Sequence, residues 1–150
     1  MGIEDADTEE NQSGSSNHVV TPLACALPNR HAGGPKGSGD EQVRILPGTL
    51  LHSICADEDA SEQYYCNYGV NEKFEASFQA AGLRISARGA QGEPRAVELP
   101  EHRFFLATLF QPQLSSRPEA PHPLMLAFFR AAARFRRTRS QRKPVRSSNR

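Results

Sequence analysis

Hydrophobic residues recur along the chain at two spacings, and each spacing predicts a different kind of element. Between residues 83 and 87 apolar and polar residues alternate, which is typical of a strand with one buried face. Between residues 71 and 82, Phe74 and Phe78 are four positions apart and a glycine closes the segment, so a helix is predicted. A second helix is predicted from Pro123 onwards, with the proline in its first turn. Its apolar face comprises Leu124, Phe128, Ala131 and Phe135.

Short apolar runs between turn-forming residues predict the remaining strands. These strands are His18–Cys25, Val43–Leu46, Ala96–Leu99 and Phe104–Phe110. The last run lacks polar alternation, which predicts a strand that is covered on both faces. The glycines and prolines of residues 28–42 predict a loop. A buried strand between two helices indicates an α/β fold with a mixed sheet.

The 18 basic and 17 acidic residues nearly cancel, but they are distributed unevenly along the chain. Residues 130–150 contain nine lysines or arginines and no acid. This asymmetry predicts an acidic, disordered segment at residues 1–17, a folded domain at residues 18–136, and a basic, disordered tail at residues 137–150. Such a tail is expected to bind polyanions weakly and without sequence preference.

Several classes of protein are excluded by composition. No segment approaches the run of about twenty apolar residues that a transmembrane helix needs, so no contact with a membrane is predicted. Residues 1–10 carry five acids and no base, the reverse of a secretory signal peptide. The three cysteines lack Cys-x-x-Cys spacing, which favours a reducing, cytoplasmic setting over a disulfide framework. The five histidines show no spacing typical of metal ligands, so no metal site is predicted.

The loop after the predicted buried strand is a natural place for function, because functional groups of open α/β sheets gather beyond the carboxyl ends of strands. Residues 111–118 supply amides, hydroxyls and one guanidinium, but no group that titrates near neutral pH. This composition suits binding or a structural turn better than proton transfer. Within the loop, Ser115, Ser116 and Arg117 suit either an anion site or a turn that leads into a helix.

Cys66 lies among aromatic residues and admits two interpretations. It is either a nucleophile or redox thiol, activated by a histidine such as His52, His102 or His122, or a small buried apolar residue. Cys25 and Cys55 are predicted to be core residues. Two functional hypotheses from different classes therefore remain open at this point, a thiol-dependent hydrolase and a non-catalytic binding or interaction module.

Two segments carry a resemblance to a known family. Residues 101–113 end in Phe110-Gln111-Pro112-Gln113, and residues 62–71 end in Tyr68-Gly69-Val70-Asn71. Together with His122-Pro123-Leu124, they resemble the C-terminal part of the class I glutamine amidotransferase domain of CTP synthases, over about residues 43–133. The chain resembles stand-alone proteins similar to that domain more than it resembles full-length CTP synthases. The resemblance implies a partial flavodoxin-like domain whose N-terminal half is missing, and an exposed sheet edge that a partner chain or a second copy would cover.

The resemblance also implies a chemistry from which this chain departs. The family hydrolyses glutamine and supplies ammonia for the synthesis of CTP from UTP, using a cysteine nucleophile, a histidine base and a glutamate. The histidine and glutamate positions are occupied here by Gln111 and Gln113, and no Gly-x-Cys-x-Gly turn is present. Since an amide cannot accept and return a proton at neutral pH, a catalytically degenerate domain is expected. Asn67, which replaces an arginine, and Tyr68 are expected to bind substrate by resemblance. No cofactor is expected in this chain, because ATP and magnesium would belong to a synthase domain.

Overall fold

The computed structural model describes residues 2–11, 14–23, 38–66 and 68–141. Its strands are β1 (Asp7–Thr8), β2 (His18–Pro22), β3 (Ser38–Ile45), β4 (Asp59–Tyr65), β5 (Tyr68–Val70), β6 (Arg84–Arg88), β7 (Pro94–Glu98) and β8 (Leu106–Thr108). Its helices are α1 (Leu50–Cys55), α2 (Glu75–Ala80), α3 (Pro112–Ser115) and α4 (Pro123–Gln141), with 3-10 turns at Glu9–Asn11 and Glu72–Phe74. No helix in these residues is long and apolar enough to cross a membrane.

The strands form two sheets, and the α/β fold class is confirmed. The larger sheet has the order β4-β3-β6-β7-β8 and is antiparallel throughout its described pairs. The smaller sheet has the order β1-β2-β5 and is mixed, because β1 runs parallel to β2 and β5 runs antiparallel to it. The backbone N–H of Gln111 donates to the carbonyl of Gln63 at 2.7 Å. The segment that leaves β8 therefore returns to β4, at the opposite end of the strand order.

The core lies between the larger sheet and the helices α1 and α4. Its buried residues are Val43, Ile45, Leu51, Ala87, Ala96, Phe110 and Leu124. A buried carboxylate fixes the start of α1, since Glu98 Oε2 accepts hydrogen bonds from the backbone N–H of Leu50 at 2.8 Å and of Leu51 at 3.3 Å. Thr49 adds a side-chain cap to the same helix, so sheet and helix are joined by polar contacts as well as by packing.

Local patterns predicted the middle of the chain correctly. The Asn71 side chain accepts a hydrogen bond from the backbone N–H of Lys73, and α2 ends before Gly82, whose φ of +89° favours glycine. The alternating residues form β6, which pairs with β7, and β7 overlaps the strand predicted at Ala96–Leu99. The helix predicted from Pro123 is α4.

The strand predicted for Phe104–Phe110 is wrong in extent and in burial. Only Leu106–Thr108 is a strand, and it lies at the edge of the larger sheet, where Phe105 is 40% exposed. Among the described strands β8 pairs on one side only, with β7, so it is an edge strand and lacks the cover that a second neighbouring strand would give. Phe110 alone in the run is fully buried, because the chain there turns into the core.

The structure also corrects the boundaries predicted from composition. β3 begins at Ser38, inside the loop predicted for residues 28–42, because pairing with β4 overrides a weak local preference. Within residues 1–17, predicted to be disordered, the backbone N–H of Asp7 donates to the Asn17 carbonyl and places β1 beside β2. α4 continues to Gln141, inside the tail predicted from residue 137, because its alanines and arginines favour a helix. Residues 24–37, which include Cys25, and residues 142–150 lie outside the described residues.

Candidate functional site

Gln111 directly follows Phe110, the last residue of the apolar run, and a short helix begins after it. It occupies the position before α3 and lines a cavity of about 540 Å³ between β3, β4 and α3. The cavity is lined by Gly39, Asp40, Gln63, Tyr64, Tyr65, Gln111 and Leu114. Gln113 is exposed on α3 and does not line this cavity. The structure therefore places one of the two predicted glutamines at a cavity and the other on the surface.

The cavity at Gln111 offers hydrogen bonds rather than a catalytic base. Its polar side chains are two amides, two phenols and the carboxyl group of Asp40, and no histidine in the described part of the chain lines it. Gln111 presents an amide that can donate and accept hydrogen bonds at once but cannot take up a proton at neutral pH. A small polar ligand fits this arrangement, whereas general base catalysis by Gln111 does not.

Cys66 directly follows β4 and is partly buried. Its Sγ lies 3.3 Å from the carbonyl oxygen of Tyr68, and the backbone N–H of Tyr68 donates to Sγ at 3.4 Å. In the described part of the chain these are the hydrogen bonds of Cys66, and neither involves a histidine. The pairing with His52, His102 or His122 remains a prediction without a supporting contact. Asn67 lies outside the described residues.

Cys55 is partly buried and packs against the core, as predicted. Burial raises the pKa of its thiol to about 11, with nearby Glu62 and Asp57 adding to the effect. We expect its alkylation by iodoacetamide at about pH 8 to be roughly a hundredfold slower in the folded protein than in urea, because so little thiolate is present. Mass spectrometry of the tryptic peptides measures this rate. An equal rate in the two states would contradict the raised pKa of Cys55.

A buried pair that the sequence patterns missed connects β4 to the start of α4. His122 Nε2 lies 2.9 Å from Glu62 Oε1 and 3.2 Å from Oε2, and both side chains are at most 10% exposed. The backbone N–H of Leu124 donates to His122 Nδ1 at 3.1 Å. Nδ1 is therefore the acceptor nitrogen, and in the neutral ring Nε2–H donates to the carboxylate. Glu62 ends an acidic stretch of the sequence and is nevertheless buried, because its strand faces this histidine.

A second buried cluster lies close to the cavity at Gln111. Arg95 contacts Glu93 at 2.6 Å and also pairs with Glu41, and its side chain is only 4% exposed. Gly89 lies against this cluster, where a Cβ would collide with the Glu93 carboxylate. The three charged residues line a cavity of about 210 Å³ that shares Asp40 and Tyr64 with the cavity at Gln111. The cluster thus lines a cavity next to the candidate site, and its three charged residues are not among those that line the cavity at Gln111 itself.

The Glu41 carboxyl group is expected to make stability depend on pH. Burial raises its pKa above 4.5 and Glu93 adds to this, although Arg95 opposes the shift. The folded state then binds the Glu41 proton more tightly than the unfolded state. The stabilisation from Glu41 is therefore present below pH 4.5 and is lost as pH rises through the raised pKa.

Urea unfolding of the wild type and Glu41→Gln measures this contribution. We expect the free energy of unfolding of the wild type, relative to the variant, to fall from about pH 4 to about pH 7. A difference that rises over this range would contradict the direction of the shift. Since the glutamine substitution keeps the size and polarity of the side chain, the comparison isolates the effect of protonating Glu41 on the free energy of unfolding.

Among the described residues, no group of three or more histidine, cysteine, aspartate or glutamate side chains is arranged to hold a metal ion.

Comparison with known proteins relates the chain to CTP synthases. No protein-family model matches it. It is 33% identical over 138 residues to CTP synthase of Archaeoglobus fulgidus and 38% identical over 138 residues to CTP synthase of Aeropyrum pernix. Each alignment covers 91% of this chain and 26% of the relative, so the chain spans about a quarter of the length of the curated relatives. Among solved structures, it resembles the CTPS glutaminase domain of Trypanosoma brucei with bound acivicin, with a TM-score of 0.79 and 31% identity. That match covers 89% of this chain and 52% of the other.

Proposed function

The chain is related to the glutamine amidotransferase domain of CTP synthases, and from this premise we propose that it retains part of that domain's fold without its glutaminase chemistry. Because of this relation, we assign the chain a role in glutamine-dependent CTP synthesis. In that process, glutamine hydrolysis supplies ammonia for the amination of UTP. The chain itself acts as a degenerate amidotransferase domain in the cytoplasm.

The single observation that carries this proposal is the setting of Gln111. At the end of the strand run, where the resemblance requires a histidine base, an amide lines the cavity. The buried His122–Glu62 pair offers no replacement, because neither residue lines the cavity at Gln111. Without a base and an adjacent nucleophile, the described site lacks the means to activate water or a thiol.

A second candidate function is the binding of a small polar ligand without turnover. The cavity at Gln111 is preformed, with a volume of about 540 Å³, and two tyrosines and two amides converge on it. Tyr68 and Asn67 are the further residues that the family resemblance assigns to ligand contact. A Cys66-dependent hydrolase is the third candidate. It has the least support, because the described hydrogen bonds of Cys66 involve the Tyr68 backbone and no histidine.

The edge of the larger sheet is the proposed surface for a partner chain or a second copy. β8 pairs on one side only, and Phe105 beside it is exposed. An unpaired edge with apolar residues next to it favours association with another chain. The basic residues after Arg130 are proposed to add weak binding to polyanions.

Ammonia release from glutamine tests the main proposal, measured on the chain as it stands and on Cys66→Ser. Activity that disappears in Cys66→Ser would establish the third candidate. Saturable binding of glutamine without ammonia release would establish the second.

A further inference from the structure

A groove runs between α1, α4 and the residues that precede β8. Its volume is about 710 Å³. Apolar residues form its floor, among them Leu50, Ile54, Phe104, Leu126, Ala127 and Ala131. None of the residues around Gln111 or Arg95 lines it, so the groove is separate from the candidate site.

One wall of the groove is a continuous stripe of α4. The lining residues of α4 run from Pro123 to Thr138 at intervals of three and four, which is one face of a helix. At about 1.5 Å per residue the stripe is roughly 22 Å long, or about four turns. α1 has only six residues and faces the first part of the stripe. In the second part Phe135 is 38% exposed, with the Arg103 guanidinium 3.8 Å above its ring.

The charge of the groove has a single sign. Arg103, Arg130 and Arg134 line it, and no aspartate or glutamate of the described residues does. A second copy that docked its own α4 here would place arginine against arginine, which is unfavourable. Residues 24–37 and 142–150 carry no acid either, so the undescribed segments of this chain do not complement the groove.

From the length of the stripe and its charge, we propose that the groove binds an acidic amphipathic helix of a partner protein. Apolar residues of that helix, at i, i+3, i+4 and i+7, would fill the floor between Leu126 and Ala131. Its carboxylates would pair with Arg130 and Arg134 on the rim, where both arginines are exposed and free to reorient. The residues that line this groove differ from those that line the cavity at Gln111. The proposal is therefore independent of whether the chain hydrolyses glutamine.

The test uses a synthetic amphipathic peptide of about 18 residues, long enough to span the stripe, with leucines on one face and glutamates beside them. Fluorescence anisotropy measures its affinity for the full chain, and the control peptide carries lysine in place of each glutamate. We expect the glutamate peptide to bind and the lysine peptide not to bind. Arg134→Glu should weaken binding of the glutamate peptide by about tenfold or more and allow the lysine peptide to bind.

Matched variants separate docking in the groove from general attraction. Arg137→Glu makes the same change of charge on α4 at a position that does not line the groove, and it should change the affinity less than about twofold. Leu126→Ser, inside the groove, should weaken binding, whereas Phe129→Ser, at a 61% exposed position outside it, should not. Circular dichroism confirms that each variant keeps the wild-type helix content.

Two results would overturn the proposal. Equal losses in Arg134→Glu and Arg137→Glu would show general attraction to a basic helix rather than docking in the groove. Self-association in analytical ultracentrifugation that Leu126→Ser abolishes would make a second copy the occupant instead.

Discussion

Purified protein incubated with glutamine is expected to release no ammonia above the buffer control. General bases typically contribute about a hundredfold to ten-thousandfold in rate, and an activated nucleophile contributes further, so the loss of both removes the measurable reaction. At the position where the related enzymes are expected to carry the base, Gln111 supplies an amide. A coupled glutamate dehydrogenase assay measures the ammonia directly.

Two variants serve as controls for the expectation that the protein releases no ammonia. Gln111→His with Gln113→Glu introduces the two residue types that the family resemblance requires, yet the sequence holds no Gly-x-Cys-x-Gly turn to provide a nucleophile. We therefore expect the double variant to be as inactive as the wild type. Ammonia release by the wild type would contradict the degenerate assignment, and its loss in Cys66→Ser would identify the nucleophile.

Replacing Arg95 by methionine is expected to lower the free energy of unfolding by about 3–5 kcal/mol, because it leaves buried carboxylates without their cation. Glu41 and Glu93 are only 18% and 11% exposed, and both contact Arg95. Water cannot replace the guanidinium at such sites without reopening the structure. Urea unfolding followed by circular dichroism measures the loss.

The matched control is Arg44→Met, which removes an arginine from β3 that is 76% exposed and 4.0 Å from Asp59. It should change the free energy of unfolding by no more than about 0.5 kcal/mol. Adding Glu41→Gln and Glu93→Gln to Arg95→Met should recover part of the loss, since the unpaired charges are then removed. Equal effects of Arg95→Met and Arg44→Met would show that the buried cluster contributes no more than a surface pair.

Elements with local signals could be predicted from the sequence, and elements fixed by distant pairing could not. Asn71 caps the 3-10 turn that leads into α2, Gly82 follows the end of α2, and both signals are visible in the sequence. The extension of β3 to Ser38, by contrast, depends on its pairing with Tyr65, 27 positions away in the chain. Residues 104–110 have a core-like composition, but whether a second layer covers them is a property of the whole fold.

The same distinction applies to the candidate site. The position of Gln111 followed from the strand run before it, and the structure places it at a cavity. The pair of His122 with Glu62 spans 60 residues, and the contact of Arg95 with Glu41 spans 54. No periodicity connects residues so far apart, so both pairs became visible only once the strands were arranged.

The dependence of α1 on Glu98 has a consequence for the order in which the chain acquires its structure. A helix of six residues does not persist alone, since isolated helices need roughly 12–15 residues. The carboxylate that holds its first N–H groups comes 48 residues after Leu50. During synthesis α1 must therefore wait, unstructured, until β7 has left the ribosome and paired with β6. The wall that α1 contributes to the groove along α4 is thus completed only after β6 and β7 have paired.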